Sequence, residues 1–307
     1  MQVRHAFIAM ALTATAGLLA TACSASSAGT SPGVIRAVGA ENEYANVISQ
    51  IGGKYVAVSA IESNPNTDPH TFEASPAVAR EVADAQLVVQ NGIGYDTYMN
   101  RIESSAASSS RKVIVVQNVL GLPDSAPNPH LWYSPNTMPK VAGAIAAELS
   151  KLSPAHAAYF RANVTKFDHS LQPWLTALAQ FKAAYRGTPV AATEPVGNYM
   201  LQAAGADIKT PFGLQADIMN GVDLSPQYVS LQDSLFSQHK VKVFVYNQQV
   251  TSSVTKSFLA EAHRYGIPVV GVYETMPTPG YHYQSWMLAE VNALRKAVAS
   301  KVSTVKL

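Results

Sequence analysis

A single cysteine in 307 residues rules out any intramolecular disulfide and any thiolate-based metal cluster. Charge is also scarce: 14% of residues are Asp, Glu, Lys or Arg, and 22 basic against 20 acidic side chains leave a formal net charge of +2. The basic residues are scattered, with no block able to track a phosphate backbone and no basic stripe interleaved with aromatics, so nucleic acid is excluded as a partner. With 48% hydrophobic residues the chain is too apolar to remain disordered and long enough for two lobes of roughly 100–150 residues. Enzyme signatures are missing as well. There is no His-Glu-x-x-His helix and no Gly-x-Ser-x-Gly nucleophile turn.

Only the N-terminus carries a long apolar run. Arg4 and His5 precede an apolar stretch, Ala6 to Ala22, that ends in small residues at Thr21-Ala22-Cys23, the layout of a secretory signal peptide over residues 1–22. The Ser/Ala/Gly-rich segment that follows is read as a flexible spacer over 23–33. An exported protein with one thiol needs a use for it, and the position of Cys23 supplies one. Leu19-Ala20-Thr21-Ala22-Cys23 resembles a bacterial lipobox, although Ala20 stands where that motif usually has Leu. The resemblance implies that Cys23 is a lipid anchor. The other reading is ordinary signal cleavage beside an incidental cysteine.

From Val34 onward, short β-branched runs alternate with amphipathic stretches, which predicts parallel α/β sheets. Strands are expected at 34–38, 56–61, 87–90, 113–116, 189–193, 241–246 and 268–273. Four Ser-Pro pairs, at Ser75, Ser134, Ser153 and Ser225, read as helix starts, because Ser caps free N–H groups and Pro fits the first turn. Residues 154–185 contain no glycine and repeat apolar side chains at helical spacing. This predicts one long helix of ~45 Å with a kink or break at Pro173. The organisation expected is an N-terminal α/β lobe over 34–152, a linker helix over 153–186 and a C-terminal α/β lobe over 187–307.

Two segments share one design: Asp68-Pro69-His70 and Asn128-Pro129-His130. In each, Pro favours a turn and a histidine is presented near a strand-to-helix junction, where open α/β folds bind ligands. Two carboxylates follow apolar runs in the same way. Glu194 comes after Pro189–Ala192 and Glu274 after Pro268–Val272. Two imidazoles and two carboxylates suit one divalent ion such as Zn²⁺ or Mn²⁺. His156, His169 and His263 fall on expected helices as surface or packing residues, and His282 is a reserve ligand. Asp68, Glu73 and Asp217 are candidates to orient the ligands.

The chain resembles the solute-binding lipoproteins of bacterial zinc and manganese ABC importers. The landmarks are Ala40-Glu41-Asn42-Glu43-Tyr44, Ser63 through Glu73, Asn91-Gly92-Ile93-Gly94-Tyr95-Asp96, Asn128-Pro129-His130-Leu131-Trp132, Thr193-Glu194-Pro195-Val196, Met219 through Pro226 and Val272-Tyr273-Glu274-Thr275. The resemblance implies two α/β lobes joined by a long helix, with one metal ion held in the interlobe cleft. It also implies a non-enzymatic monomer that is exported and lipid-anchored to the outer face of the membrane or resides in the periplasm. Its partner would be an importer permease with its ATPase. His70 and His130 stand where the family places two histidines, and Glu194 where members carry His or Glu. Glu274 stands near a final carboxylate that is commonly Asp; its longer side chain binds bidentately, stays behind the ligands or yields to water. The His- and acid-rich loop of many zinc-specific members is absent, and Glu194 in place of a third His makes the site harder than the usual zinc set, which leans it toward manganese, whereas intrinsic affinity leans it toward zinc. The competing readings are an exported metallohydrolase and a metal-independent surface adhesin.

Overall fold

In the computed structural model, which describes residues 33–277 and 279–307, eight strands form two separate four-stranded parallel sheets. The first holds β1 (Ile35–Glu41), β2 (Val56–Glu62), β3 (Leu87–Gln90) and β4 (Lys112–Val115) in the order β2-β1-β3-β4. Between and after these strands run α1 (Asn42–Gly52), α2 (Pro76–Asp84), α3 (Thr97–Ser105), α4 (Val116–Leu120) and α5 (Thr137–Leu152). Two helices, α6 (Ala157–Ser170) and α7 (Gln172–Tyr185), lead to the second half. There β5 (Pro189–Ala192), β6 (Asp207–Ile208), β7 (Val243–Asn247) and β8 (Val269–Val272) pair in the order β6-β5-β7-β8. They are accompanied by α8 (Asn198–Ala203), α9 (Phe212–Met219), α10 (Pro226–Ser237), α11 (Ser253–Arg264) and α12 (Tyr283–Ser300). The expected fold class, two parallel α/β lobes, is the one observed. Both sheets repeat one strand order, and each reverses direction beside its first strand, which opens a crevice at the strands' C-terminal ends.

The strand expectations locate seven of these eight elements. The one missed is β6, whose two residues pair with Pro189 and Val190 at the sheet edge; it is too short to show a period. The linker breaks beside Pro173 as expected, and the break is complete enough to replace the single long helix. The linker is two helices that meet at Leu171, preceded by a short turn over Pro154–His156. Pro173 lies in the first turn of α7, where its missing N–H costs nothing, so the chain breaks just before it.

The Ser-Pro pairs divide. Ser75 and Ser225 cap α2 and α10, their hydroxyls accepting from Val78 N at 3.4 Å and Tyr228 N at 3.3 Å. Ser134 instead closes the buried turn Leu131–Tyr133, and α5 starts at Thr137 behind Asn136. Ser153 ends α5 and turns its hydroxyl to His156 Nδ1 at 2.8 Å.

One apolar core runs through both halves. Val47, Ile48 and Ile51 of α1 belong to the same cluster as Phe160, Phe167, Trp174 and Phe181 of the linker and Tyr283, Trp286 and Leu294 of α12. Burying a side chain of this size contributes about 1.5–3 kcal/mol, so the linker and α12 are structural members of both halves. Among the described residues no helix is long and apolar enough to cross a membrane. The signal peptide, Cys23 and all of the spacer up to Pro32 lie outside the described residues.

Candidate metal centre

Both X-Pro-His segments fold by the same local device. Asp68 Oδ1 accepts the backbone N–H of His70 at 2.9 Å, and Asn128 Oδ1 accepts that of His130 at 3.1 Å. In each case the short side chain replaces a backbone acceptor and fixes a tight turn, with Pro restricting the residue between. Asp68 thus orients a candidate ligand; no role for Glu73 or Asp217 emerges from their contacts. Asn128 does more: its Oδ1 also contacts His130 Nδ1 at 2.8 Å, while its Nδ2 donates to Pro195 O at 2.9 Å. An amide oxygen can only accept, so His130 carries its proton on Nδ1 and Nε2 is left with a free lone pair.

That lone pair faces a carboxylate. Glu274, fully buried just beyond β8, brings Oε2 to 3.2 Å from His130 Nε2 and 3.1 Å from His70 Nε2. One ligand atom from each of His70, His130 and Glu274 lies within 4.8 Å of the others, the only such group among the described residues. Oε1 of Glu274 accepts from Asn247 Nδ2 at 2.7 Å, and Oε2 also accepts from the Tyr95 hydroxyl at 3.0 Å. The backbone N–H groups of Glu274 and Thr275 are both taken by Gln249 Oε1, at 2.6 and 2.8 Å. The strand-end loop is therefore held as firmly as the carboxylate.

The electrostatics follow from these distances. Burial works against ionised Glu274, yet opposing effects led by the charge of the adjoining His70 outweigh it and hold the carboxyl well below the usual carboxylate range. Burial also works against a charged His70, but Glu274 prevails and raises its pKa. At His130, enclosed completely, burial wins and the pKa falls. One anionic oxygen thus confronts a bare ring nitrogen at contact distance, and a cation between them relieves the opposition.

Glu194 follows β5 as expected and is 2% exposed, but it stands outside the three-residue group. Neither carboxylate oxygen makes a hydrogen bond. Burial, reinforced by the charge of Glu274 and only partly offset by the Asn247 amide, pushes its pKa well above the usual range. His282 caps α12 and contacts Asn46 at 3.2 Å, away from the group. Sequence reasoning assigned no role to Tyr95, Asn128, Asn247 or Gln249. For Asn128 the signal was its match to Asp68 in the X-Pro-His pattern; Asn247 and Gln249 had only their place after an apolar strand.

The two halves are tied around this group by further hydrogen bonds. Asn42 and Met276 exchange two, both at 2.9 Å, Gln249 Nε2 donates to Thr67 O at 2.8 Å, and Tyr283 donates to Trp132 O at 2.6 Å. A cavity of about 380 Å³ opens beside the His70 turn, lined in part by Glu62, Asp68, Thr71 and Thr275.

A family model described as ZnuA, zinc-uptake complex component A, periplasmic, matches residues 38–297. The manganese-binding lipoprotein MntA of Bacillus subtilis is 27% identical over 176 residues, which is 55% of this chain and 56% of that protein. The zinc-binding protein TroA of Treponema pallidum is 26% identical over 159 residues, 49% of this chain and 50% of its own length. The chain thus spans about half the length of these curated relatives. The solved structure of the periplasmic zinc-binding protein TroA superposes with a TM-score of 0.73 at 17% identity, covering 88% of this chain and all of that one. At that identity the likeness concerns the fold.

Proposed function

We propose that this chain, which belongs to the ZnuA family of periplasmic zinc-uptake complex components, binds one divalent transition-metal ion outside the cytoplasm and delivers it to an ABC-type importer, the permease with its ATPase. The observation that carries this reading is the convergence of His70 Nε2, His130 Nε2 and Glu274 Oε2, with the His130 proton held on the far side of the ring by Asn128. Three donor atoms from distant parts of the chain, two neutral-capable imidazoles and one anionic oxygen, suit Zn²⁺ or Mn²⁺. The ion is cargo, and in this reading the chain performs no catalysis. Glu194 is the fourth ligand: a buried carboxylate with no hydrogen bond gains a partner when the ion arrives. The site lies in the cleft between the lobes, so the ion crosslinks them.

Export by the N-terminal signal, anchoring through lipidated Cys23 and action as a monomer belong to the same reading. Export and anchoring draw support from the sequence pattern of residues 1–23 and from the similarity to MntA, a lipoprotein.

The test is elemental analysis of protein purified without chelator, with equilibrium dialysis of Zn²⁺ and Mn²⁺ against the metal-free chain. One ion per chain is expected, and His130→Ala should abolish tight binding of both. Undiminished binding by that variant would remove His130 from the site, and the absence of any bound ion would end the assignment.

A further inference from the structure

The loop between β3 and α3 is built at a cost that ordinary chain reversal does not need. Gly92, Ile93 and Gly94 have φ of +87°, +51° and +74° in succession. The glycines tolerate this, but a β-branched residue rarely does, and such strain persists only where the surroundings enforce it. Here they do. The Asp96 carboxylate accepts the backbone N–H groups of Asn91 and Gly92 at 2.5 and 3.0 Å, and Gln117 Oε1 accepts that of Ile93 at 2.7 Å. Asn91 is itself pinned, accepting from the Tyr44 hydroxyl at 2.6 Å and donating to Pro129 O at 2.8 Å.

What the loop presents is Tyr95. Its ring stands edge-on to His70 and His130, with centroids 5.5 and 5.8 Å away, and packs on Trp132 at 5.1 Å. Its hydroxyl donates to Glu274 Oε2, the oxygen that both Nε2 atoms approach. A glutamate carboxylate at the end of three rotatable bonds keeps one position only when both oxygens are held. Asn247 holds Oε1 and Tyr95 holds Oε2. A carboxylate oxygen has lone pairs for both a hydroxyl and an ion, so the Tyr95 bond is compatible with ligation and aims the remaining pair between the imidazoles.

We propose that Tyr95 is a positioning residue that sets metal affinity and preference by holding Glu274 with a single oxygen facing the ion. The inference rests on the metal-binding reading above. One carboxylate oxygen with two imidazoles favours the low coordination number of Zn²⁺; a carboxylate released to offer both oxygens moves the site toward ions that take more ligands.

The experiment compares Tyr95→Phe, Tyr44→Phe and His130→Ala in the full chain, by chelator competition with Zn²⁺ and with Mn²⁺ and by the visible spectrum of the Co²⁺-loaded protein. Tyr44→Phe removes a hydroxyl that fastens the same loop without touching Glu274 and controls for loosening. Tyr95→Phe is expected to weaken Zn²⁺ binding by about 10–100-fold, the usual effect of losing a partner of a ligand. Mn²⁺ should lose less, the Co²⁺ bands should weaken as coordination rises, and the metal-free melting temperature should be no lower than that of Tyr44→Phe. Wild-type affinities and spectrum in Tyr95→Phe, with binding lost in His130→Ala, would overturn the inference alone. Retained binding in His130→Ala would overturn the site itself. Equal weakening by Tyr44→Phe, or a phenolate-to-Cu²⁺ charge-transfer band lost in Tyr95→Phe, would also overturn the positioning role, the first assigning loop rigidity and the second direct ligation.

Discussion

Glu290, on the buried side of α12, accepts from Trp286 Nε1 at 2.7 Å and contacts the Tyr133 hydroxyl at 2.8 Å through the same oxygen, while its other oxygen has no partner. Burial pushes its pKa up from 4.5 to about 8, against the smaller opposing effect of these hydrogen bonds. The unfolded chain releases this proton near pH 4.5 and the folded chain keeps it to about pH 8. Raising the pH through that window therefore favours the unfolded state, which binds fewer protons there. Glu290→Gln keeps the shape and cannot ionise. Its melting temperature should match the wild type near pH 4.5 and exceed it by a margin that grows up to about pH 8. A constant margin across that range would show that Glu290 is not the group responsible. At this same scale, the histidines were readable because their turns are local: an Asp or Asn two places before each His accepts its N–H. Tyr95 was not readable in this way. Its partner lies 179 residues away, and only the glycines of Gly92-Ile93-Gly94 hinted that the backbone there does something unusual.

Helix starts show how far an element can be read from a dipeptide. Ser225 and Ser134 both precede Pro, but only Ser225 has its hydroxyl on the third N–H of the following helix. Ser225→Ala should cost about 1 kcal/mol, the typical loss for a cap, whereas Ser134→Ala should cost less than half of that. Urea unfolding of the two variants checks the difference, and equal losses would contradict the capping assignment. The reason the pairs diverge is tertiary. Trp132 and Tyr133 are fully buried directly ahead of Ser134, and docking them consumes the residues that would otherwise begin the helix. The linker follows the same logic. Helical periodicity ran on through 154–185, but Pro173 needs a first-turn position, so the chain supplies one by ending α6 at Ser170.

For the molecule as a whole, the continuous core and the hydrogen bonds Asn42–Met276, Gln249–Thr67 and Asn128–Pro195 hold the two halves together before any ion binds. Metal should therefore act on the whole folded unit. At 100 times its Kd, a single ion bound only by the folded state adds about 2.7 kcal/mol, a rise of about 4–5 °C in the melting temperature of a chain this size. Thermal melts of metal-free protein titrated with Zn²⁺ and Mn²⁺ separately measure it, and the ion that binds tighter gives the larger shift at matched concentration. A single cooperative transition that moves as one is expected; two transitions, of which only one responds, would mean that the halves unfold independently.

By itself the sequence determined the βα alternation, the class of fold, the two X-Pro-His turns and the placing of Glu194 and Glu274 beyond strand ends, because periodicity, proline and short polar side chains act over a few residues. Only the tertiary structure decided that His70 and His130 meet one oxygen of Glu274 in a group that Glu194 adjoins without a hydrogen bond, that Asn128 fixes the His130 proton, and that Tyr95 and Asn247 hold the two ends of one carboxylate. Those relations depend on ångström distances between residues up to 204 positions apart, from His70 to Glu274. Such distances are set by how two sheets, a bent linker and α12 pack into one core, and no local pattern encodes them.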